Sequence, residues 1–260
     1  MALPKLQHPT FEVKIPSTGK SAIFRPYTVK EQKILLMLQE SKEAEELARC
    51  VKDLIESCCT TEIKADKLTY FDLEYILLRL RSKSVGEISK LSFRCNNEVE
   101  EKVCGTTNEI EVNLEDIGVD FSQAKNQQIE IQNGIVMKLN YPSIQSAKLL
   151  EQYNRERDLK ILIDAISNDV VSILDAEKVY DDFTKDELKE FIQQINLESF
   201  KNIIDFYANA PKLRKKVDFI CKKCGFKDVI TLEGITDFFA DRKSTRLNSS
   251  HIPLSRMPSS

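Results

Sequence analysis

Residues 217–232 read VDFICKKCGFKDVITL, a stretch with two cysteines between two segments of strand-like sequence. Two residues separate Cys221 from Cys224, and this spacing lets both thiolates bind one tetrahedral ion. Gly225 follows where the backbone has to turn back, which glycine does without a steric penalty. The pattern is typical of a zinc knuckle. One knuckle supplies two ligands, whereas a structural zinc ion is bound by four.

A second pair of cysteines, Cys95 and Cys104, lies earlier in the chain in a segment that also has strand character. The neighbours of the two pairs agree, since FRC at residues 93–95 parallels FIC at 219–221 and each pair ends in Cys-Gly. Two half-sites of this kind suggest one joint site. We therefore expect Cys95, Cys104, Cys221 and Cys224 to bind one structural zinc ion that holds the two segments together.

The spacing of the first pair leaves other interpretations open. Eight residues separate Cys95 from Cys104, and Glu98 stands where a knuckle would have its second cysteine. The four thiols can form a zinc site, a degenerate site that has lost its metal, or a group with another role such as redox chemistry. A thioredoxin-like role is disfavoured because no βαβ pattern surrounds the C-x-x-C.

The first cysteine pair ends an N-terminal half, residues 1–120, which predicts a hairpin, three helices and a strand ribbon. Thr28 and Glu31 have the spacing of a capping box, and the apolar run ILLML follows them. The predicted elements are a hairpin at residues 10–25, helices from Thr28, at 43–59 and at 69–83, and strands at 87–114. Helix 43–59 carries the other three cysteines, which are expected to be buried structural thiols: Cys50, Cys58 and Cys59.

The C-terminal half, residues 121–240, has the same order of elements. Asn133-Gly134 lies between two alternating runs and predicts a type I′ hairpin. The predicted elements are that hairpin at residues 129–139, helices at 144–157, 159–167, 185–195 and 197–208, and strands at 217–232. The sequence therefore predicts an α+β fold of two similar halves, whose cysteine ribbons join as a zinc-ribbon-like unit.

Residues 241–260, DRKSTRLNSSHIPLSRMPSS, show no helical or strand periodicity. They resemble the translation of a common short-read sequencing adapter, so we expect a disordered tail that is not part of the natural protein. The tail holds four of the 38 basic residues, one of the 41 acidic residues and one of the two histidines. Without it the chain is more acidic than its formal charge of −3.

Several function classes are disfavoured by composition and motifs. An acidic chain is poorly suited to neutralise phosphates, so nucleic-acid binding is not expected, and the basic run at residues 212–216 is interpreted as a solvated edge. His8 is the only histidine before the tail, and no P-loop, G-x-G-x-x-G, H-E-x-x-H or G-x-S-x-G occurs. We therefore expect no enzyme. No stretch has the roughly 18 apolar residues of a membrane span, and the first residues lack a signal peptide's apolar core.

Several quoted stretches resemble one known family. RPYTVKEQKILLM at residues 25–37, LEYILLRLRSKSVGE at 73–87 and the closing FICKKCGFKDVITLEGITDFF are similar to the T-even-type bacteriophage baseplate proteins. That family includes baseplate hub subunits and hub-assembly proteins of contractile-tailed phages. The resemblance implies a non-enzymatic structural or assembly role, with other baseplate hub and tail proteins as partners. It also implies a place in the host cytoplasm during assembly or in the virion tail. The alternative is a zinc-ribbon regulatory module that binds nucleic acid or a protein partner.

Overall fold

The computed structural model describes residues 6–33 and 44–239. Its first elements are β1 (Phe11–Lys14), β2 (Ser21–Phe24), α1 (Ala44–Cys58), α2 (Tyr70–Val85), β3 (Ile88–Arg94), β4 (Glu98–Val99), β5 (Lys102–Val103), β6 (Thr107–Asn113) and β7 (Gly118–Asp120). Then follow β8 (Gln128–Gln132), β9 (Ile135–Leu139), α3 (Ile144–Glu156), α4 (Leu159–Asp169), β10 (Val170–Leu174), β11 (Val179–Tyr180), α5 (Lys185–Gln193), α6 (Leu197–Ala208), β12 (Lys212–Ile220), β13 (Lys227–Glu233) and α7 (Gly234–Phe239). Helices and small antiparallel sheets are mixed, which confirms the predicted α+β class.

The helices begin at polar capping residues that lie close to the predicted helix starts. The backbone N–H of Thr28 donates to the Glu31 carboxylate at 2.7 Å, and residues 29–33 are helical. The rest of that predicted helix, with the run ILLML, lies outside the described residues, as does the tail at 241–260. Thr184 and Glu187 form the predicted capping box of α5. Each such cap satisfies backbone donors that have no partner inside the helix.

The second hairpin has the predicted turn, but the sheet around it is larger than expected. Asn133 and Gly134 both have positive φ, at 52° and 76°, as a type I′ turn requires. The hairpin belongs to a sheet of order β11-β10-β9-β8, and the sequence did not predict β10 or β11. Residues 170–174 are an apolar run directly after α4, without a turn signal to mark where helix becomes strand.

Two strand pairs carry the four cysteines. We call β3, β6 and the connection between them the first ribbon, and β12, β13 and their connection the second ribbon. The second ribbon begins at Lys212 rather than at residue 217, and Leu213 near its start is fully buried. It also pairs with β7, so a strand from residues 1–120 completes its sheet.

Three clusters of buried apolar side chains form the core. One lies between the first hairpin, α1 and α2, and another lies between the second hairpin and helices α3–α6. The third cluster combines both ribbons with α2 and α7, and includes Leu91, Phe93, Val112, Phe219, Ile230, Leu232 and Phe238. Packing in this third cluster positions the cysteines. Among the helices in the described ranges, none has the length and apolar character needed to cross a bilayer.

Candidate metal centre

The four predicted site cysteines come together where the two ribbons meet. All four Sγ atoms lie within 4.8 Å of one another. The Sγ atoms of Cys95 and Cys224 are 3.6 Å apart, and those of Cys104 and Cys221 are 3.8 Å apart. Cys95 and Cys221 are buried, whereas Cys104 and Cys224 are half-buried. The four thiols therefore form a compact group that could bind a metal ion.

The long spacing of the first pair is accommodated by a small hairpin. Strands β4 and β5 extend away from the site and turn at Glu100 and Glu101, whose φ angles are 51° and 61°. The backbone N–H of Cys104 then donates to the Asn97 carbonyl at 2.8 Å, which returns Cys104 to the site. Glu98, at the position of a knuckle's second cysteine, lies on β4 and is exposed.

The backbone around the two pairs is the same despite the different spacing. In the first ribbon the N–H of Cys95 donates to the carbonyl of Thr106 at 2.9 Å, and the N–H of Gly105 donates to the carbonyl of Cys95 at 3.0 Å. In the second ribbon Cys221 donates to Phe226 at 2.9 Å, and Gly225 donates to Cys221 at 2.9 Å. Gly105 and Gly225 have φ of 65° and 71°. The first ribbon is thus a knuckle with an inserted hairpin.

Two asparagine side chains point amide groups at the sulfurs, and sequence reasoning missed both. Nδ2 of Asn97 lies 3.8 Å from Sγ of Cys224, and Nδ2 of Asn108 lies 3.7 Å from Sγ of Cys221. Asn108 is buried on the inward face of β6, where strand alternation would place an apolar residue. Its Oδ1 accepts from the backbone N–H of Lys222 at 2.8 Å, which links the first ribbon to the second. A polar residue at an inward strand position was the available signal.

Hydrogen bonds favour the thiolate form at one cysteine of each ribbon. The backbone N–H of Cys224 is the main cause that lowers the pKa of Cys221 to about 6. The hydroxyl and the backbone N–H of Thr106 lower the pKa of Cys104. Burial raises the pKa of Cys95. Negative charge on sulfur is therefore stabilised at two of the four thiols, and thiolate is the form that binds metals.

The other three cysteines are placed on or next to α1. Cys58 is buried in the first core cluster, as expected. Cys50 and Cys59 are only half-buried, and the Sγ of Cys59 lies 3.5 Å from the carbonyl of Ile23. Among the described residues, only the four ribbon cysteines form a group of possible metal ligands.

Two of the four basic residues in the run at 212–216 form ion pairs within the second ribbon. Lys212 Nζ lies 2.9 Å from one oxygen of Glu233, and Arg214 Nη2 lies 3.0 Å from the other. Arg214 also approaches Asp120 on β7 at 3.5 Å. These carboxylates neutralise charge that a phosphate backbone would otherwise meet.

Comparison with known protein families identifies the family of this chain. A family model described as T4 bacteriophage base plate protein matches residues 8–240. No curated protein and no solved structure matches the chain. The matched range contains both ribbons and all four site cysteines, and it agrees with the resemblance found in the sequence. The chain therefore belongs to the T4 bacteriophage base plate protein family.

Proposed function

We propose that the protein is a non-enzymatic structural or assembly component of the tail baseplate hub of a contractile-tailed bacteriophage. The observation that carries this proposal is the family match over residues 8–240. The family points to a structural protein of the phage baseplate, and the hub is our more specific assignment. The proposed partners are other baseplate hub and tail proteins.

The use of buried carboxylates supports a structural role. Asp72 on α2 accepts from the backbone N–H of Ser17 in the first hairpin at 2.9 Å. Glu74 on the same helix accepts from the backbone N–H of Ile235 on α7 at 2.9 Å. Each of these two buried side chains therefore joins distant segments of the chain.

A third buried carboxylate joins two helices of the second half. Asp169 accepts from the hydroxyl of Ser146 at 2.7 Å and from that of Tyr207 at 3.2 Å. Burial raises the pKa of Asp169 to about 7. Its two hydroxyl donors come from α3 and α6, so this carboxylate also acts as a connector.

The division into two similar halves, residues 1–120 and 121–240, is also a proposal. The matching backbone hydrogen bonds of the two ribbons support it, and β7 and the third core cluster join the halves. Residues 121–127, at the start of the second half, contain no helix or strand. Limited proteolysis of the full chain should cut there and leave two fragments that stay associated. Fragments that separate on gel filtration would contradict a joint ribbon unit.

Affinity capture tests the proposed partners. The tagged protein is expressed in phage-infected cells and captured, and the recovered proteins are quantified by mass spectrometry. We expect enrichment of baseplate and tail subunits over a control capture with a tagged non-structural protein of the same phage. Capture without any tail subunit would contradict the proposal. Mass spectrometry of purified virions then distinguishes a virion component from an assembly factor that acts only in the host cytoplasm.

The alternative, a zinc-ribbon module that binds nucleic acid, has less support. Lys212 and Arg214 are paired with Glu233, which leaves Lys215 and Lys216 as the basic residues of this run without such a pair. A gel-shift titration at several salt concentrations tests it. Affinity that falls steeply with salt would favour the alternative, because each phosphate contact releases a counterion.

A further inference from the structure

We propose that Cys95, Cys104, Cys221 and Cys224 bind one Zn²⁺ ion through four thiolates, and that this ion fastens the first ribbon to the second. Asn97 and Asn108 donate amide hydrogens to the bound sulfurs. The proposal goes beyond the role in the baseplate and does not depend on it. A metal site can be present whatever partners the protein has.

The distances between the sulfurs fit a single tetrahedral ion. With Zn–S bonds of about 2.3 Å, tetrahedral geometry separates the sulfurs by about 3.8 Å. The closest pairs of the site, Cys95 with Cys224 and Cys104 with Cys221, are at 3.6 and 3.8 Å. No pair exceeds 4.8 Å. An iron–sulfur cluster also contains bridging sulfides between its irons, so four sulfurs this close together leave space for one ion and not for a cluster.

The matching backbone argues against a degenerate site. Gly105 and Gly225 occupy equivalent turns. Cys104 in the first ribbon therefore has the same backbone position relative to the turn as Cys224 in the second. The inserted hairpin β4–β5 changes only what lies outside the site. All four ligand positions of a two-knuckle site are therefore occupied by cysteine.

The surroundings suit a buried anionic centre. Four thiolates and one Zn²⁺ carry a net charge of −2, which is costly to bury unless donors face it. The side-chain amides of Asn97 and Asn108 lie 3.8 and 3.7 Å from two of the sulfurs. Hydrogen bonds from such neighbours orient metal ligands and tune them. Asn108 also bonds the backbone of the second ribbon at Lys222, so it supports the site from across the ribbon interface.

Elemental analysis of the full-length protein, purified without added metal, is the first test. We expect about one zinc ion per chain and iron far below that. The double variant Cys221→Ser/Cys224→Ser should lose the zinc. The control Cys50→Ser, which removes a half-buried thiol of α1, should keep it. Zinc retained by the double variant would overturn the proposal.

Cobalt titration covers the case in which the double variant does not fold. Zinc is removed from the wild-type protein with a chelator under reducing conditions, and Co²⁺ is added. Four thiolates around one Co²⁺ should give the intense visible absorption of a tetrahedral thiolate complex, which added Zn²⁺ abolishes. Three results would each overturn the proposal: wild-type protein without zinc and without this spectrum, iron in place of zinc, or disulfides that link the site cysteines in freshly isolated protein.

Discussion

The two ribbons reach the same local geometry from different cysteine spacings. The second ribbon is compact, with two residues between its cysteines, whereas the first has eight and projects a small hairpin away from the site. Their backbone hydrogen bonds and their glycine conformations nevertheless agree. Ligand spacing in sequence is therefore a weaker guide to a metal site than the strand register on either side of the turn. An insertion at the tip of a turn leaves the register unchanged.

Changes of phenylalanine to alanine in the two ribbons should destabilise the protein most. They test whether both ribbons contribute equally to the third core cluster. Phe93 and Phe219 occupy equivalent positions two residues before a cysteine, and both are buried. Each change to alanine should lower the free energy of unfolding by about 3–5 kcal/mol, because it leaves a cavity. Denaturant unfolding measures this.

The matched control for the phenylalanine variants is Ile220→Ala, next to Phe219 but on the exposed face of β12. It should change the unfolding free energy by less than about 1 kcal/mol. If Phe93→Ala destabilises the protein much less than Phe219→Ala, the first ribbon contributes less to the core than the second. That result would contradict an equal contribution of the two ribbons.

The next effect concerns the two asparagines. Asn108→Ala should lower the free energy of unfolding by about 1–3 kcal/mol, because it removes a buried side chain together with the acceptor of the Lys222 backbone N–H. Asn97→Ala should cost roughly 0.5 kcal/mol, because Asn97 is half-buried. Thermal and denaturant unfolding measure the stability of the two variants and rank them. Asn96→Ala, a change at the exposed neighbour, is the control. Equal losses of unfolding free energy for Asn97→Ala and Asn108→Ala would contradict the greater structural importance of Asn108.

A smaller effect compares the two turn glycines. Gly105→Ala and Gly225→Ala each place a side chain at positive φ, which costs about 1–2 kcal/mol. An added Cβ would meet open space at Gly225, but would lie 3.2 Å from the Arg94 guanidinium at Gly105. We therefore expect Gly105→Ala to be the more destabilising of the two. Gly118→Ala, where φ is not positive, is the control and should be nearly neutral. The reverse order in unfolding experiments would show that the inserted hairpin relaxes around the change.

The last prediction is a gain in stability at the tip of the inserted hairpin. Glu100 and Glu101 have the positive φ angles of a type I′ turn, for which Asn-Gly is preferred. The double change Glu100→Asn/Glu101→Gly should raise the free energy of unfolding by about 1 kcal/mol. The control Glu100→Gln/Glu101→Gln removes the charges but keeps the strained backbone. If both double variants gain a similar amount of unfolding free energy, relief of charge repulsion explains the gain and relief of backbone strain does not.

The sequence predicted the parts of this fold that have local signals. Capping residues such as Thr184, the Asn133-Gly134 turn and the apolar stripes of the helices depend on neighbours a few residues away. The pairing of the cysteine segments was predicted from the similarity of their neighbours. Strand β7 was missed because its partner β12 is distant in sequence, and β10 was missed because its apolar run follows a helix directly. Strand β11 has only two residues and pairs with β10, so it was missed together with β10. Asn108 was missed because its role depends on Lys222, 114 residues further along the chain.

The separation between the ribbons also sets an order of events during synthesis. Cys104 and Cys221 are 117 residues apart, so the first ribbon leaves the ribosome long before its partner. At typical elongation rates that interval is on the order of ten seconds. During this time Leu91, Phe93 and Val112 present an apolar face without the strands that later cover it. The ribbon junction should therefore be among the last parts of the protein to mature.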